Sequence, residues 1–429
     1  MTTRVNIIGC GPTGMTIAWE LSKHAEVHVY DKKPGPGGSW WEPDGFRDLH
    51  ATRSAFNGAF VNTRSLFDEM GLTWSKYFGI LENESPIKTL VKNLKPKDYY
   101  ELVLLSAKVL VEPAKYSQKT LHESIGTLST TGEVIVSSLP YIMDGVSWDK
   151  MTAYEFVNSY DWVGLSTQET QITSGSVMCR DMEMALSNRG VYFHYNTEIA
   201  GVRYGEVDHE ATITDTDKTI KGNLLVLAVD HGQAKWLVGD NWGHAYHVLN
   251  DSQYQAVSLL LEYPYNVKLR PQIEGLISTP WHIIASVLPD GKSVCVVLTD
   301  LTSPSEYGRT VERSPPEDIL TEVHLQTGLP RAPTRMCWGS QWDGNQWVHH
   351  QTSGVVGVGG SIPFWGRCPS VALCGMMSPR NTPFASIEAA VEVGRRFVGK
   401  TPLKPVLVSD LLIGLLFLVI LNHLISKQS

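Results

Sequence analysis

Near its start the chain sets three glycines, Gly9, Gly11 and Gly14, between an apolar run at residues 5–8 and a helix-like run at 15–23. A second apolar run at 26–30 then ends in Asp31. Few patterns constrain a fold so tightly. The periodicity predicts a strand, a glycine turn, a helix and a second strand, which is the opening of a βαβ unit. Each position has a physical reason. Gly9 permits the tight turn, Gly11 lets a pyrophosphate approach the backbone, and Gly14 lets the helix pack on the strand. Pro12 and Thr13 lie between the last two glycines and belong to the same set. The helix N-terminus offers N–H donors and partial positive charge to phosphate, and the Asp31 carboxylate can accept hydrogen bonds from a ribose diol. Dinucleotide binding is expected.

Composition narrows the class. The chain has 429 residues, 42% of them apolar, and 36 basic against 44 acidic side chains for a net charge of −8. That is enough material for two or three domain equivalents, and it excludes disordered, collagenous and disulfide-stapled chains. The mild acidity gives no general attraction to a phosphate backbone, so no nucleic-acid partner is expected. Six cysteines without metal-finger spacing read as free thiols in a reduced compartment. The first residues leave no room for a secretory leader, so the body is expected to face the cytosol.

Gly37 and Gly38 follow Asp31 closely, and the whole run VNIIGCGPTGMTIAWELSKHAEVHVYDKKPGPGGSWWE from Val5 resembles the FAD-binding opening of the flavin amine oxidase, protoporphyrinogen oxidase and phytoene desaturase superfamily. Further blocks resemble that family in order. These are residues 46–72, Gly175 and the helix after it, NTEIAGV at 196–202, the strand at 226–229, and residues 371–397. The resemblance implies an α/β chain with a Rossmann-like FAD-binding domain, an inserted α+β substrate domain and a C-terminal hydrophobic helix. FAD is implied, bound non-covalently because neither Cys368 nor Cys374 matches an attachment position. The implied cofactor set is Gly9, Gly11, Pro12, Thr13, Gly14, Asp31, Lys32, Gly37, Gly38, Ser39, Ile199, Gly375 and Ile387. Ile199 would meet the adenine through its strand. Gly375 would lie beside the cofactor, and the helix from Ile387 would point its N-terminus at the flavin ring, where its dipole favours the negative charge of reduction. On the residues alone, Lys32 and Lys33 read as solvated surface lysines.

The implied activity is hydride transfer from a C–N or C–C bond of a small or lipophilic substrate to flavin, with dioxygen or another acceptor taking the electrons. No catalytic residue is assignable. Two other readings stay open. GGSWW is reminiscent of NADPH-using flavin monooxygenases, although residues 354–366 make a poor second glycine turn. An inactive scaffold keeping the fold would accommodate Ser39, Met376 and Ser386, where the family pattern differs. Trp281, Trp338, Trp342, Trp347 and Trp365 could line a pocket, with core packing the commoner role for each. His244, His247, His349 and His350 complete no metal site.

The expected organisation is residues 1–75, 171–240 and 366–400 in the FAD-binding domain, 76–170 as a loop-rich segment of the substrate domain and 241–365 as the rest of that domain. The loop-rich part is expected to hold a helical turn followed by a hairpin-type strand over residues 121–136. At the end, residues 411–425 form the most lipophilic stretch, LLIGLLFLVIL followed by Asn422, His423, Leu424 and Ile425. A helix over 403–425 is about 34 Å long at 1.5 Å per residue, so a tail anchor holding the body to a membrane is expected.

Overall fold

The computed structural model describes residues 3–41, 54–80, 92–144, 146–216, 218–229, 231–243, 253–254, 256–268, 279–288, 290–348, 352–353 and 362–409. The apolar stretch 411–425, the histidines 244, 247, 349 and 350, and residues 354–361 lie outside the described residues.

In chain order the first elements are β1 (Arg4–Ile8), α1 (Pro12–Leu21), β2 (Glu26–Tyr30) and α2 (Val61–Met70), the last closed by Gly71 in the left-handed region. Three longer helices follow, α3 (Pro96–Val111), α4 (Thr130–Asp144) and α5 (Ala153–Val163). Next come α6 (Gly175–Ser187), β3 (Tyr192–His194), the antiparallel meander β4 (Ile199–Tyr204), β5 (His209–Ile213) and β6 (Thr219–Gly222), and β7 (Leu224–Leu227). A second sheet is built from β8 (Val257–Glu262), β9 (Ile283–Val287), β10 (Ser293–Leu298) and, after helix α7 (Pro316–Thr327), β11 (Arg335–Trp338). β12 (Val371–Leu373) and α8 (Ile387–Phe397) come last among the elements that build the site, with shorter helices and small two- and three-stranded sheets between.

The first sheet has the order β12-β7-β1-β2-β3, with every neighbouring pair parallel. A parallel sheet needs cover on both faces, and side chains alternate accordingly. Val5, Ile7, Val27, Val29 and Val226 pack on one face with residues of α1, α2, α6 and α8. Ile8, Tyr30, Leu225, Leu227 and Leu373 pack on the other with Ile199, Ala211 and Ile220 of the meander. The second sheet is antiparallel throughout, in the order β9-β10-β8-β11, and its core closes around Trp281 and α7.

The segment expected to be loop-rich is helical. Val134, Ile135 and Val136 read as a strand by β-branching, yet they lie inside α4. Ile135, Val136 and Leu139 fall at helical spacing and are fully buried against Leu105, Val109 and Phe156. Burial of that face outweighs a propensity difference of only about 0.5 kcal/mol per residue. Capping boxes, Thr120 with Glu123 and Thr152 with Glu155, start the neighbouring helices.

Candidate functional site

The carboxyl ends of β1, β2, β7 and β12 meet at one edge of the parallel sheet, and the glycine turn sits there. Gly9 has φ +104 and donates its N–H to Tyr30 O at 2.8 Å. A Cβ on Gly9 would lie 2.4 Å from Ala228 O, and one on Gly14 would lie 2.0 Å from Gly9 O. Only glycine fits either position. Gly11 is the N-cap of α1, Pro12 and Thr13 open its first turn, and no side chain caps it. The second glycine pair closes over this turn. Gly37, at φ +128, donates its N–H to Cys10 O at 2.8 Å, and a Cβ on Gly38 would stand 3.0 Å from Gly11 Cα. A Cβ on Gly11 would meet Gly38 Cα alone within 4 Å. The side of Gly11 that a side chain would fill is therefore open, which is the room a pyrophosphate needs to approach backbone donors.

Asp31 is 8% exposed and its carboxylate ties the cradle together. Oδ2 accepts from Cys10 N at 2.7 Å and Oδ1 from Lys33 N at 2.8 Å. Each oxygen keeps a lone pair for a further donor, so a ribose hydroxyl remains acceptable chemistry. The adjoining lysines part company. Lys32 Nζ lies 3.8 Å from Glu198 Oε1, with both side chains half exposed. Lys33 turns back instead, its Nζ donating to Gly38 O at 2.6 Å and lying 5.5 Å from the Trp41 ring centroid. The surface reading of the pair suits Lys32 and not Lys33. Nothing in the spacing separated the two.

Ile199 begins β4 beside this loop. Thr197 N donates to Asp31 O at 2.9 Å, and Asn196 adopts φ +51 to make the corner. The Ile199 side chain is buried with Ile8 and Tyr30. On the other flank Cys374 N donates to Leu227 O, and a Cβ on Gly375 would lie 3.2 Å from Val229 O. Gly9 and Gly375 thus abut consecutive residues, Ala228 and Val229. Ser39 is exposed in the short helical turn Gly38–Trp40. Ile387 opens α8 with its side chain in the core, and the Ser386 side chain accepts from Ala389 N at 3.2 Å. Ser386 therefore serves as that helix's N-cap. Gly394 lets α8 lie directly on α1, because a Cβ there would be 2.8 Å from the Thr16 side chain.

Several groups that sequence reasoning left without a role support the site from behind. Glu388 is wholly buried, and its carboxylate accepts from the backbone N and side chain of both Asn62 and Thr63, at 2.7–2.9 Å. It caps α2 from another helix. Burial raises its pKa and those four donors pull it back, leaving it above the usual carboxylate range. Burial, and then the Asp31 charge, push the Cys10 thiol well up, and burial does the same to Cys374. Neither is poised as a thiolate. Trp281 and Trp347 are core residues of the second sheet, with Trp338 and Trp342 packed against them. Trp365 is 45% exposed and lies beside Phe397. Among the described residues no group of three His, Cys, Asp or Glu could hold a metal ion.

Comparison with known proteins places this geometry. Residues 7–57 match the family model of the NAD(P)-binding Rossmann-like domain. Across the whole chain, putrescine oxidase bound to putrescine superposes with a TM-score of 0.65 at 14% identity, covering 93% of this chain and 98% of that one. Cyclohexylamine oxidase from Brevibacterium oxydans gives 0.63 at 14% identity, covering 92% and 98%. The chain has the fold of these oxidases. An oxidoreductase from Methanosarcina mazei also superposes at 0.63 and 13% identity, over 92% of this chain and all of that one. No curated protein sequence matches the chain. The parallel Rossmann-like sheet and the mixed α/β architecture are those that the resemblance to the flavin amine oxidases leads one to expect, while the C-terminal hydrophobic helix lies outside the described residues.

Proposed function

We propose that the chain is a flavin-dependent oxidoreductase that holds FAD without a covalent bond and oxidises a C–N or C–C bond of a small or lipophilic substrate. The observation that carries this is the single cradle formed by Gly9, Gly11 and Gly14 with Gly37, Gly38 and Asp31. It lies at the carboxyl edge of a parallel sheet, in a fold shared with amine oxidases. When bound, FAD supplies a hydride acceptor that dioxygen or another oxidant can regenerate.

The chain's own residues bind and orient. The N-terminus of α1 and the N–H groups around Gly11 receive the pyrophosphate, Asp31 takes the ribose hydroxyls, and the β4 backbone at Ile199 takes the adenine. The N-terminus of α8 carries partial positive charge toward the flavin end, although Ser386 already occupies one of its donors. Burial of Cys374, and the donation of the Cys368 thiol to Gly205 O at 2.8 Å, favour a non-covalent complex.

The body is proposed to face the cytosol, held to a membrane by the stretch 411–425. Among the described residues no helix is long and apolar enough to cross a membrane, so this part rests on the composition of the tail. Anaerobic titration tests the activity. A panel of primary and secondary amines is expected to bleach the flavin absorbance of the purified chain with no pyridine nucleotide present. Bleaching by NADPH alone would replace this reading with a monooxygenase.

A further inference from the structure

Among the described residues, the helical part leaves an apolar face exposed on α3. On α3 the exposed positions include Tyr100, Val103, Ala107, Leu110 and Val111, whose spacing places them along one side of the helix. Tyr100 is 64% exposed, Val103 68%, Leu110 52% and Val111 81%. The other side of the same helix is also apolar, with Leu105 and Val109 buried in the helical core. A surface helix ordinarily turns polar residues outward, and a contiguous apolar stripe marks a surface that something covers.

Two observations say what covers it. The first is charge. Exposed lysines flank the stripe, Lys92, Lys95 and Lys97 before it and Lys119 after it, while Lys115 is paired with Glu112 at 2.6 Å. The acids in this stretch are fewer. Asp98 is buried, accepting from Lys95 N and from Ser129, which leaves Glu101 and Glu112. Apolar side chains between ammonium groups match the acyl boundary and the headgroups of an anionic bilayer. A second copy packed antiparallel on this stripe would instead bring one lysine end against the other.

The second observation is where the chain goes. Past α8, Leu403 exchanges hydrogen bonds with the Asn62 side chain, and the chain then reaches α5. There Ser409 N and Oγ donate to the Asp161 carboxylate at 2.7 and 2.6 Å. α5 is the helix on which α3 packs. The uninterrupted apolar run 411–421 begins two residues later.

We propose that the outer face of α3 is a membrane-contact surface, lying on an anionic bilayer while the C-terminal stretch enters it. This rests on the tail reading given above, and the test separates the two. In the full chain carrying Cys337→Ser, a fluorophore is placed on Ala107→Cys, with Tyr307→Cys as an exposed control. The labelled protein is mixed with phosphatidylcholine–phosphatidylserine vesicles containing a spin-labelled lipid, and flotation is followed in parallel. The expected result is quenching at position 107, weaker on phosphatidylcholine alone and absent at position 307. Val103→Glu with Leu110→Glu should abolish quenching at 107 while the protein still floats. A chain that floats with position 107 unquenched overturns the α3 surface and leaves the tail reading standing. A chain that does not float overturns both. Concentration-dependent shielding of the label without vesicles would make the occupant a second copy, which also overturns the proposal.

Discussion

At the scale of single residues the site depends on side chains that are missing. Gly38 has φ +58 and faces Gly11 across a gap too narrow for a methyl group. Gly38→Ala is expected to cost about 1–3 kcal/mol in backbone strain and overpacking, and to lower FAD affinity more than it lowers Tm. Fluorescence titration beside thermal melts distinguishes these, and an unchanged affinity would detach the second glycine pair from the cofactor. Asp31→Asn removes a charged acceptor. A hydrogen bond to a charged group contributes about 1.5–3 kcal/mol, so the FAD dissociation constant should rise by about tenfold to a hundredfold. The glycines and Asp31 were legible in the sequence because their reason is local, a turn and a close approach fixed by spacing. Lys33 was not, because its bond to Gly38 O forms only once the loop between them has folded back.

At the scale of elements, α1, α2 and α8 are joined by charges as well as by packing. Arg395 of α8 is 2% exposed and reaches Glu69 of α2 at 2.7 Å and Glu20 of α1 at 3.7 Å. Lys400 meets Glu20 at 3.0 Å and Glu69 at 3.1 Å. Burial alone would raise the Glu69 pKa, but Lys400, Arg395 and the Trp19 N–H together hold it below the usual range. Removing one partner of a buried pair costs about 3–5 kcal/mol. Arg395→Ala should fall at the lower end because Lys400 remains, and denaturant midpoints measure it. A loss below about 1 kcal/mol, the value of an exposed pair, would show the network to be incidental. Elements with clean periodicity were readable, including α2 with its Gly71 cap and α7 with its boundaries at Pro316 and Thr327. α4 was not, because its β-branched run acquires helical form from contacts made by residues far along the chain. Glu388 escaped for the same reason, since its partners lie more than three hundred positions away.

For the molecule as a whole, acid should loosen the cover of the first sheet. His209 on the meander lies behind β1, where its Nε2 accepts from the Asn6 amide at 2.9 Å, and burial lowers its pKa to about 4. A histidine depressed in the fold protonates first in the unfolded chain. Its contribution is therefore full above about pH 6.5 and is lost as pH falls from there towards 4. His209→Gln should flatten the stability profile in that window while changing little above it, which melts across pH 4–7.5 would show; an unaltered slope would remove His209 from the account. Whether the chain holds FAD decides between an oxidoreductase and an empty fold, and the flavin content of the purified full chain measures it. The purified protein should be yellow, and its acid supernatant should contain free FAD at about one molecule per chain, as expected for the glycine cradle at the end of β1. A colourless protein that takes up no FAD when it is supplied would contradict this, leaving the fold without the chemistry.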